Sequence, residues 1–245
     1  MEIKPKISVI TVSKNSGSTI EKTILSVISQ AYDNLEHIVI DGDSQDNTLS
    51  ILNKYENKIT KIISERDNGI YNAMNKGVAN SSGNLIIFLN SNDSFFSLDV
   101  IEKISNKINK LNNVDIFYGN VLIEDIINNK SNIWKATPIS KFSLFRGAIP
   151  HPATIYRKKA FEICGNFDES FKIAGDYEWT IRAFLKFGLN FYYLNETITV
   201  FNKGGISTSD NYALMQKKEK NIIRNRYYTP FETKYFNLIW FFKKI

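Results

Sequence analysis

The chain has 245 residues, enough for one substantial domain, and its proportions of 43% hydrophobic and 23% charged residues are those of a globular protein. Its single cysteine, Cys164, excludes an internal disulfide, and no segment approaches the roughly 20 apolar residues that span a bilayer. The formal charge of +6 falls entirely within residues 216–245, so the body is neutral, and without a nucleic-acid motif this argues against nucleic-acid binding.

Strand and helix patterns alternate in the first 95 residues. The β-branched run 7–13 predicts a buried strand, and Ser18-x-x-Glu21 predicts a capping box at the start of a helix. Further strands are predicted at 35–40, 62–63 and 85–89, and helices at 20–28, 48–55 and 70–78. This alternation predicts an α/β fold with a Rossmann-like, mostly parallel central sheet flanked by helices on both faces.

The remaining residues are less regular. Helices are predicted near 100–111 and 175–187, strands at 115–123, 153–156, 191–194 and 197–201, and a loop region around Trp134 and Pro138. Since no Gly/Ser-rich linker and no internal repeat interrupts the chain, we expect a single domain over 1–245.

Polar clusters lie at the ends of four predicted strands. They occupy positions 13–15, 41–43, 66–68 and 90–93. In open parallel sheets, ligands bind beyond the carboxyl ends of the strands, so we expect the functional site there. The first strand-to-helix turn contains neither G-x-G-x-x-G nor G-x-x-x-x-G-K-[ST], which argues against NAD enzymes and P-loop NTPases.

Three carboxylates at these strand ends each have a chemical and a structural interpretation. Asp41 and Asp67 can accept a hydrogen bond from the ring N–H of a nucleobase, or can serve as turn and cap residues. Asp93 can bind Mg²⁺ or Mn²⁺, which hold oxygen ligands and bridge to phosphates, or can belong to an ordinary Asn-Ser-Asn-Asp turn. The residues alone leave both interpretations open.

Further candidates lie in the second half. Asp176, near the start of a predicted helix, is either a general base for an incoming hydroxyl or a charge that favours the helix N-terminus. His151, between two prolines, either contacts a ligand or metal or is structural. Gly204 and Gly205 begin a loop that either closes over phosphates or forms a plain turn.

Five segments carry a family resemblance: SVITVSKNSGSTIEKTILSVISQ, IVIDGDSQDNT, SERDNGIYNAMNKGVANSSG, FLNSND and GNFDESFKIAGDYEWTIR. Their order and spacing, over roughly residues 6–210, resemble family 2 glycosyltransferases of the GT-A fold, of the group that builds bacterial capsule, O-antigen and exopolysaccharide chains. The resemblance implies a nucleotide-sugar-binding half at 1–95 and a smaller, mixed acceptor half at 96–215. Residues 216–245 form the tail.

The resemblance implies an inverting transfer of a sugar from a nucleotide-diphosphate sugar, with UDP as the default, to a hydroxyl of a glycan or lipid-linked acceptor. Asp176 would deprotonate that hydroxyl, and Asp93 would hold Mn²⁺ or Mg²⁺ at the donor phosphates. The implied nucleotide-binding residues are Thr11, Ser13, Asn15, Asp41, Asp67, Asn75 and Asn92. Those implied for the donor or acceptor sugar are His151, Glu178, Gly204 and Gly205.

The sequence departs from the family pattern at two positions. Asn92 stands where the family commonly has an Asp near the ribose, and Gly175 stands where it commonly has Glu before the base. Asn92 keeps a second hypothesis open, a catalytically weak nucleotide-sugar-binding or scaffold subunit of a polysaccharide assembly complex. A sugar-phosphate nucleotidyltransferase would need a Gly-rich, basic loop after the first strand, which is missing.

The tail combines its positive charge with eight aromatic side chains. Such a segment suits peripheral attachment to an anionic membrane surface, or else packs its aromatic residues on the domain and leaves its lysines in water. The N-terminus shows no signal-peptide pattern. We therefore expect a cytoplasmic protein, with the inner face of the cell membrane as the site of any attachment.

Overall fold

The computed structural model of the chain describes residues 4–125, 128–147, 149–203 and 210–242. These residues form the strands β1 (Ile7–Ser13), β2 (Leu35–Asp41), β3 (Lys61–Ser64), β4 (Leu85–Phe88), β5 (Ser94–Phe95), β6 (Ile116–Asp125), β7 (Lys130–Trp134), β8 (Thr154–Arg157) and β9 (Phe191–Asn202). They also form the helices α1 (Ile20–Ile28), α2 (Thr48–Lys54), α3 (Ile70–Asn80), α4 (Val100–Ile108), α5 (Lys141–Arg146), α6 (Lys158–Cys164), α7 (Gly175–Ile181), α8 (Asp210–Tyr227) and α9 (Pro230–Phe242).

All of these strands join one sheet. Its order is β3-β2-β1-β4-β8-β6-β9-β5, and β7 pairs with β6. The strands β1 to β4 pair in parallel, and β6 and β9 run in the same direction as they do, whereas β5, β7 and β8 run the opposite way. The predicted α/β fold with a mostly parallel sheet is confirmed, while the division into one domain over 1–245 stays a prediction.

The central strand β1 is covered by helices on both faces. Its residues are all buried, and successive side chains enter different parts of the core. Ile7 and Val9 pack with residues of α4, whereas Ile10 and Val12 pack with residues of α3. A strand buried on both faces has no polar side, which is why its sequence is an almost continuous β-branched run.

The predicted capping box at Ser18 and Glu21 does not form. Helix α1 begins after Thr19, whose side chain makes no capping bond, and the backbone N–H groups of Thr19 and Ile20 donate instead to the Ser16 carbonyl. Glu21 accepts a hydrogen bond from the Tyr55 hydroxyl at 2.9 Å. The prediction was wrong because a tertiary partner takes the glutamate that a capping box would need.

The second half differs from the sequence prediction in four respects. The region around Trp134 forms β7, a hairpin partner of β6, instead of a loop. The helices α5 and α6 were not predicted. The helix predicted at 175–187 begins as α7 and continues as a π-helical turn over Arg182–Lys186. The two strands predicted at 191–194 and 197–201 are the single strand β9, interrupted where Asn195 adopts a φ of 53°.

The tail forms most of α8 and the whole of α9, and part of it packs on the domain. Ile223 and Tyr228 are buried in the same hydrophobic cluster as α3 and α7, and Phe236 contacts Phe142 and Phe145. One face of α9 nevertheless stays exposed. Among the residues that the structure describes, none of the helices combines the length and the apolar character that a membrane-spanning segment requires.

Candidate active site

The loops at the carboxyl ends of β1 and β2 are held together by side chain to backbone hydrogen bonds. The Asn15 N–H donates to Ser44 Oγ at 2.8 Å, and the Gln45 N–H donates to the Asn15 side-chain oxygen at 2.9 Å. Asn15 adopts a φ of 49°, a left-handed conformation that Asn tolerates better than most residues. The polar clusters at 13–15 and 41–43 therefore form one surface, as the strand order requires.

The loop after β4 is anchored to α1. Thr23 Oγ1 donates to the Asp93 carbonyl at 2.7 Å, and Thr19 Oγ1 donates to the Ser91 carbonyl. Ser16 Oγ and Ser91 Oγ lie 2.8 Å apart. These bonds fix residues 90–93 beside the end of β1.

Two buried polar atoms without a hydrogen-bond partner lie at this edge of the sheet. They are Ser13 Oγ, at the end of β1, and Asn90 Oδ1, just after the adjacent strand β4. A buried polar atom is normally paired, because leaving it unpaired costs free energy. Moreover, β1 lies between β2 and β4, so the crevice between β1 and β4 is the switch point where ligands bind in such sheets. Both atoms are therefore suited to contact a ligand, and Asn90 is a residue that the sequence analysis did not single out.

The two carboxylates predicted at the nucleobase are both near Gly42. Asp41 is fully buried and accepts hydrogen bonds from the Ser44 N–H at 3.0 Å, from Ser44 Oγ and from Ser64 Oγ at 2.8 Å. Asp67 accepts from the Gly69 N–H at 3.0 Å, and a Cβ on Gly42 would lie 2.2 Å from its other oxygen. Glycine at position 42 thus allows the two loops to approach each other closely.

Two other predicted nucleotide contacts are engaged inside the protein. Thr11 Oγ1 lies 2.9 Å from His37 Nε2, in the middle of β1 rather than at its end. The Asn75 side chain, on α3, bonds to the backbone N–H and carbonyl of Phe167 and to Glu169. The structure therefore brings Ser13, Asn15, Asp41 and Asp67 to one edge of the sheet, but not Thr11 or Asn75.

Asn92 and Asp93 are tied to the end of β9. The Asn92 side-chain amide donates to the Asn202 carbonyl at 3.1 Å, and the Asn202 side-chain amide donates to the Asn92 carbonyl at 2.6 Å. Asp93 is 2% exposed, and burial raises its pKa to about 8, although the Asn202 backbone N–H and the charge of Lys22 act in the opposite direction. In the free protein near neutral pH, a cation would have to displace a proton from this carboxyl group.

The donor atoms around Asp93 are compatible with a hard divalent cation. Asn90 Oδ1, three residues earlier, is a buried oxygen without a partner, and Mg²⁺ and Mn²⁺ prefer oxygen ligands. Within the described ranges no three His, Cys, Asp or Glu side chains gather at one point. Mg²⁺ does not need such a cluster, because it commonly binds one or two carboxylates together with substrate phosphates and water.

Asp176 lies in the first turn of α7 and accepts a hydrogen bond from the Tyr71 hydroxyl at 3.0 Å. Burial, and next the charge of Asp176, raise the pKa of Tyr71, so this hydroxyl keeps its proton. Lys220, on α8, is close enough to Asp176 for the two charges to interact, while burial lowers the pKa of the lysine. Asp176 is therefore a half-buried carboxylate that has one strong donor and remains reachable.

His151 connects the end of β4 to the environment of Asp176. Its ring stacks on Phe88 with the centroids 5.3 Å apart, and its Nδ1 lies 3.1 Å from the Tyr156 hydroxyl. Burial lowers the pKa of His151, and the charge of Asp176 opposes this effect without reversing it, so the ring is neutral near pH 7. Its Nε2 atom is buried and has no partner. His151 thus has one unpaired ring nitrogen that is suited to contact a ligand.

The remaining predicted sugar contacts are not assembled with Asp176. Glu178 is 1% exposed and is engaged by Arg182, at 3.0 Å, and by the Tyr227 hydroxyl. Residues two positions apart on a helix project about 200° apart, so Glu178 and Asp176 point to opposite sides of α7. Gly204 and Gly205 lie outside the described residues.

With the fold and this edge of the sheet described, comparison with known proteins defines the class of protein. The family model for Glycosyl transferase family 2 matches residues 8–210. The chain belongs to this family and is a glycosyltransferase.

Curated relatives agree with the family assignment. The chain is 34% identical to an uncharacterized glycosyltransferase of Mycobacterium tuberculosis over 188 residues, which cover 76% of this chain and 71% of the relative. It is 27% identical to a PGL/p-HBAD biosynthesis glycosyltransferase of Mycobacterium bovis over 210 residues, which cover 84% of this chain and 80% of the relative.

Solved structures of similar fold include Staphylococcus aureus TarS 1-349 in complex with UDP-GlcNAc, with a TM-score of 0.66 at 22% identity. The alignment covers 84% of this chain and 61% of TarS 1-349. A mannosyltransferase from Pyrobaculum calidifontis in complex with GDP-Man and Mn²⁺ gives a TM-score of 0.62 at 15% identity, with coverage of 81% and 57%. The chain thus spans about three fifths of these structures, and the likeness establishes the GT-A fold.

Proposed function

We propose that the protein transfers a sugar, with inversion, from a nucleotide-diphosphate sugar to a hydroxyl of a glycan or lipid-linked sugar during synthesis of a surface polysaccharide or glycolipid. The observation that carries this proposal is the crevice between β1 and β4, where Ser13 and Asn90 each present an unpaired buried polar atom. His151 stacks on Phe88 at the end of β4 and is influenced by the charge of Asp176, and on these contacts we place the base opposite the donor. A donor at the strand ends and a base across from it are what an attack from the opposite face requires.

The chain's own residues divide the work in this proposal. Ser13, Asn15, Asp41, Asp67 and Asn92 contribute to the nucleotide side. Asp176 accepts the proton of the attacking hydroxyl, and the Tyr71 hydroxyl holds the carboxylate in place. His151, which is neutral and has a free Nε2, contacts the sugar at the reacting carbon. Because the His151 ring is neutral, it does not add a positive charge beside Asp176.

A divalent cation, Mn²⁺ or Mg²⁺, belongs to the proposal because Asp93 and Asn90 offer oxygen ligands near the switch point. When bound, such a cation neutralises the negative charge of the departing diphosphate. The complexes of similar fold support this choice, since one contains UDP-GlcNAc and another contains GDP-Man with Mn²⁺. A UDP-sugar is our first choice of donor.

We further propose a cytoplasmic location with peripheral contact between the tail and an anionic membrane. This fits a lipid-linked acceptor, and the PGL/p-HBAD biosynthesis relative supports glycolipid chemistry. The exposed face of α9 is the surface that would make the contact.

The test is release of the nucleotide from a panel of nucleotide sugars, with Mn²⁺ or with EDTA. We expect turnover only with the cation, and a loss of at least about 100-fold for Asp176→Asn and for Asp93→Asn. Asp176→Asn should retain donor binding, measured as thermal stabilisation by the donor. The matched control is Asp33→Asn, an exposed carboxylate on a loop far along the chain from both.

Near-normal turnover of both variants would contradict the mechanism. Donor-induced stabilisation of the unmodified protein without turnover for any nucleotide sugar would instead support the second hypothesis, a nucleotide-sugar-binding subunit without strong activity of its own. The position of Asn92 at the crevice is the observation that favours this alternative.

A further inference from the structure

A pocket separate from the β1–β4 crevice lies between the end of β7, helix α5 and helix α9. It has a volume of about 300 Å³. Two tryptophans, Trp134 from β7 and Trp240 from α9, are part of its wall, and so are Lys135 and Arg146. We call it the Trp134–Trp240 pocket. None of the residues predicted for the donor site lines it.

The charge of the pocket is positive and uncompensated. Lys135 and Arg146 are exposed, and among the residues that the structure describes neither has an ion-pair partner. No Asp or Glu belongs to the lining described here. Arg presents a planar fork of N–H donors that matches phosphate oxygens. The pocket is therefore suited to an anionic group, and to phosphate in particular.

The tryptophans indicate what accompanies the anion. Trp134 is 43% exposed although it ends a strand, so its indole is available to a ligand. An indole face is electron-rich, and the C–H groups on one face of a sugar ring form an apolar, weakly positive surface that packs against it. Two indoles with two cations thus match a sugar that carries a phosphate.

Two residues of the pocket wall are connected to the segments that carry the proposed base and His151. Leu144 lines it, and the Leu144 carbonyl accepts a hydrogen bond from the Tyr177 hydroxyl at 2.7 Å, directly after Asp176 in α7. Pro150 lines it too and precedes His151. The pocket wall is thus joined to the segments that carry Asp176 and His151, which favours the acceptor as its ligand.

We propose that the Trp134–Trp240 pocket binds the acceptor through a sugar ring and an adjoining phosphate group. The identification of this ligand as the acceptor rests on the proposed function. The binding of a sugar and a phosphate is inferred from the pocket alone. The phosphate can belong to a lipid-linked diphosphate sugar or to a phosphorylated sugar without lipid. The position of Trp240 on α9, beside its exposed face, suits either source.

Tryptophan fluorescence tests the inference, because the chain has three tryptophans and the third, Trp179, is fully buried. The probe is glucose 1-phosphate, compared with glucose and with inorganic phosphate, in the presence of saturating UDP and Mn²⁺ to fill the donor site. We expect a saturable change with glucose 1-phosphate, and at least fivefold weaker binding of each half alone. Equal binding of glucose, or loss of the signal when UDP is added, would overturn the proposal.

Variants of the pocket residues test whether glucose 1-phosphate binds in the Trp134–Trp240 pocket. Trp134→Ala and Arg146→Gln should each weaken glucose 1-phosphate binding at least fivefold, while Ile133→Ala and Lys130→Gln, exposed positions of the same strand, should leave it unchanged. Arg146→Gln lies at an exposed position and keeps the test decisive if Trp134→Ala is poorly folded. Unchanged binding in both pocket variants would overturn the inference.

Two further measurements complete the design. The first compares glucose 1-phosphate with glucose linked through diphosphate to a short prenyl chain. If the natural acceptor is lipid-linked, the prenyl compound should bind at least tenfold tighter. If the natural acceptor is a phosphorylated sugar without lipid, the two compounds should bind equally. Cation-dependent hydrolysis of the donor is measured in the unmodified protein and in the control variants Ile133→Ala and Lys130→Gln, where it should be equal. Absence of hydrolysis in every protein, with specific probe binding retained, would defeat the proposed function but not the pocket.

Discussion

Glu36, near the amino end of β2, is a buried carboxylate far from the candidate site along the strands. It accepts hydrogen bonds from Ser8 Oγ, from the Ser82 N–H and hydroxyl and from the Gly83 N–H, and it pairs with Lys6 at 2.9 Å. Burial acts to raise its pKa, but these donors outweigh burial and hold the pKa at about 2. This one side chain joins β1, β2 and the turn before β4.

The depressed pKa of Glu36 predicts acid sensitivity. Because the folded pKa lies below the ordinary 4.5, the contribution to stability is present above pH 4.5 and is lost as the pH falls toward 2. We expect Glu36→Gln to lower the free energy of unfolding by about 2 kcal/mol at pH 7 and by clearly less at pH 3. Urea unfolding at both pH values measures this. An equal loss at both would show that the charge is not the cause.

At the scale of elements, α8 supports the loop that precedes α7, the helix that carries Asp176. The Glu219 carboxylate accepts hydrogen bonds from three consecutive backbone N–H groups, those of Lys172, Ile173 and Ala174, at 2.7 to 3.0 Å. Helix α7 begins directly after them, so these bonds determine where Asp176 lies.

Glu219→Gln is therefore expected to lower turnover at least about tenfold while donor binding is retained. An amide offers one acceptor oxygen in place of two, so part of the N–H set loses its partner. Hydrogen exchange should accelerate at residues 172–174, and this local readout separates positioning from general instability. The control is Glu162→Gln, exposed on α6. Normal turnover together with faster exchange would show that the loop does not control the base.

The sequence predicted those elements whose burial is visible in their composition. β1 is an almost continuous β-branched run and β2 contains the apolar run Ile38-Val39-Ile40, because helices cover both faces of these strands. β7 was missed because all five of its residues are exposed, and only backbone pairing with β6 makes it a strand. Asp93 and Asp176 followed from motifs, whereas the role of Glu219 could not, since its partners lie 45 to 47 positions earlier.

At the scale of the whole molecule, α9 carries an apolar surface that the domain does not cover. Phe231, Tyr235, Leu238 and Phe242 are 51 to 78% exposed and follow one another at helical spacing on one face. Phe236 and Trp240 lie on the other side, toward the domain and the Trp134–Trp240 pocket. The helix thus has one face on the protein and one face available to a membrane.

Substitutions on the exposed face test the proposed membrane contact without damaging the core, whereas deletion of the tail would remove Ile223 and Tyr228. We expect Phe231→Ser with Leu238→Ser to reduce sedimentation with anionic phospholipid vesicles at least tenfold, since each side chain contributes about 1.5–3 kcal/mol when buried. Leu98→Ser, equally exposed but distant along the chain, is the control. Undiminished vesicle binding of the double variant would contradict the proposal.

Asn92 and Asn202 each donate a hydrogen bond from the side-chain amide to the backbone carbonyl of the other residue, although they lie 110 positions apart. The residue that position 92 can accept therefore depends on the backbone at the end of β9. A carboxylate cannot donate a hydrogen bond, so an aspartate at position 92 would turn its negative charge toward the carbonyl that the amide now binds. Restoring the residue that is common in the family would therefore set two acceptors against each other. The backbone of β9 at position 202 therefore favours a side chain that can donate a hydrogen bond at position 92.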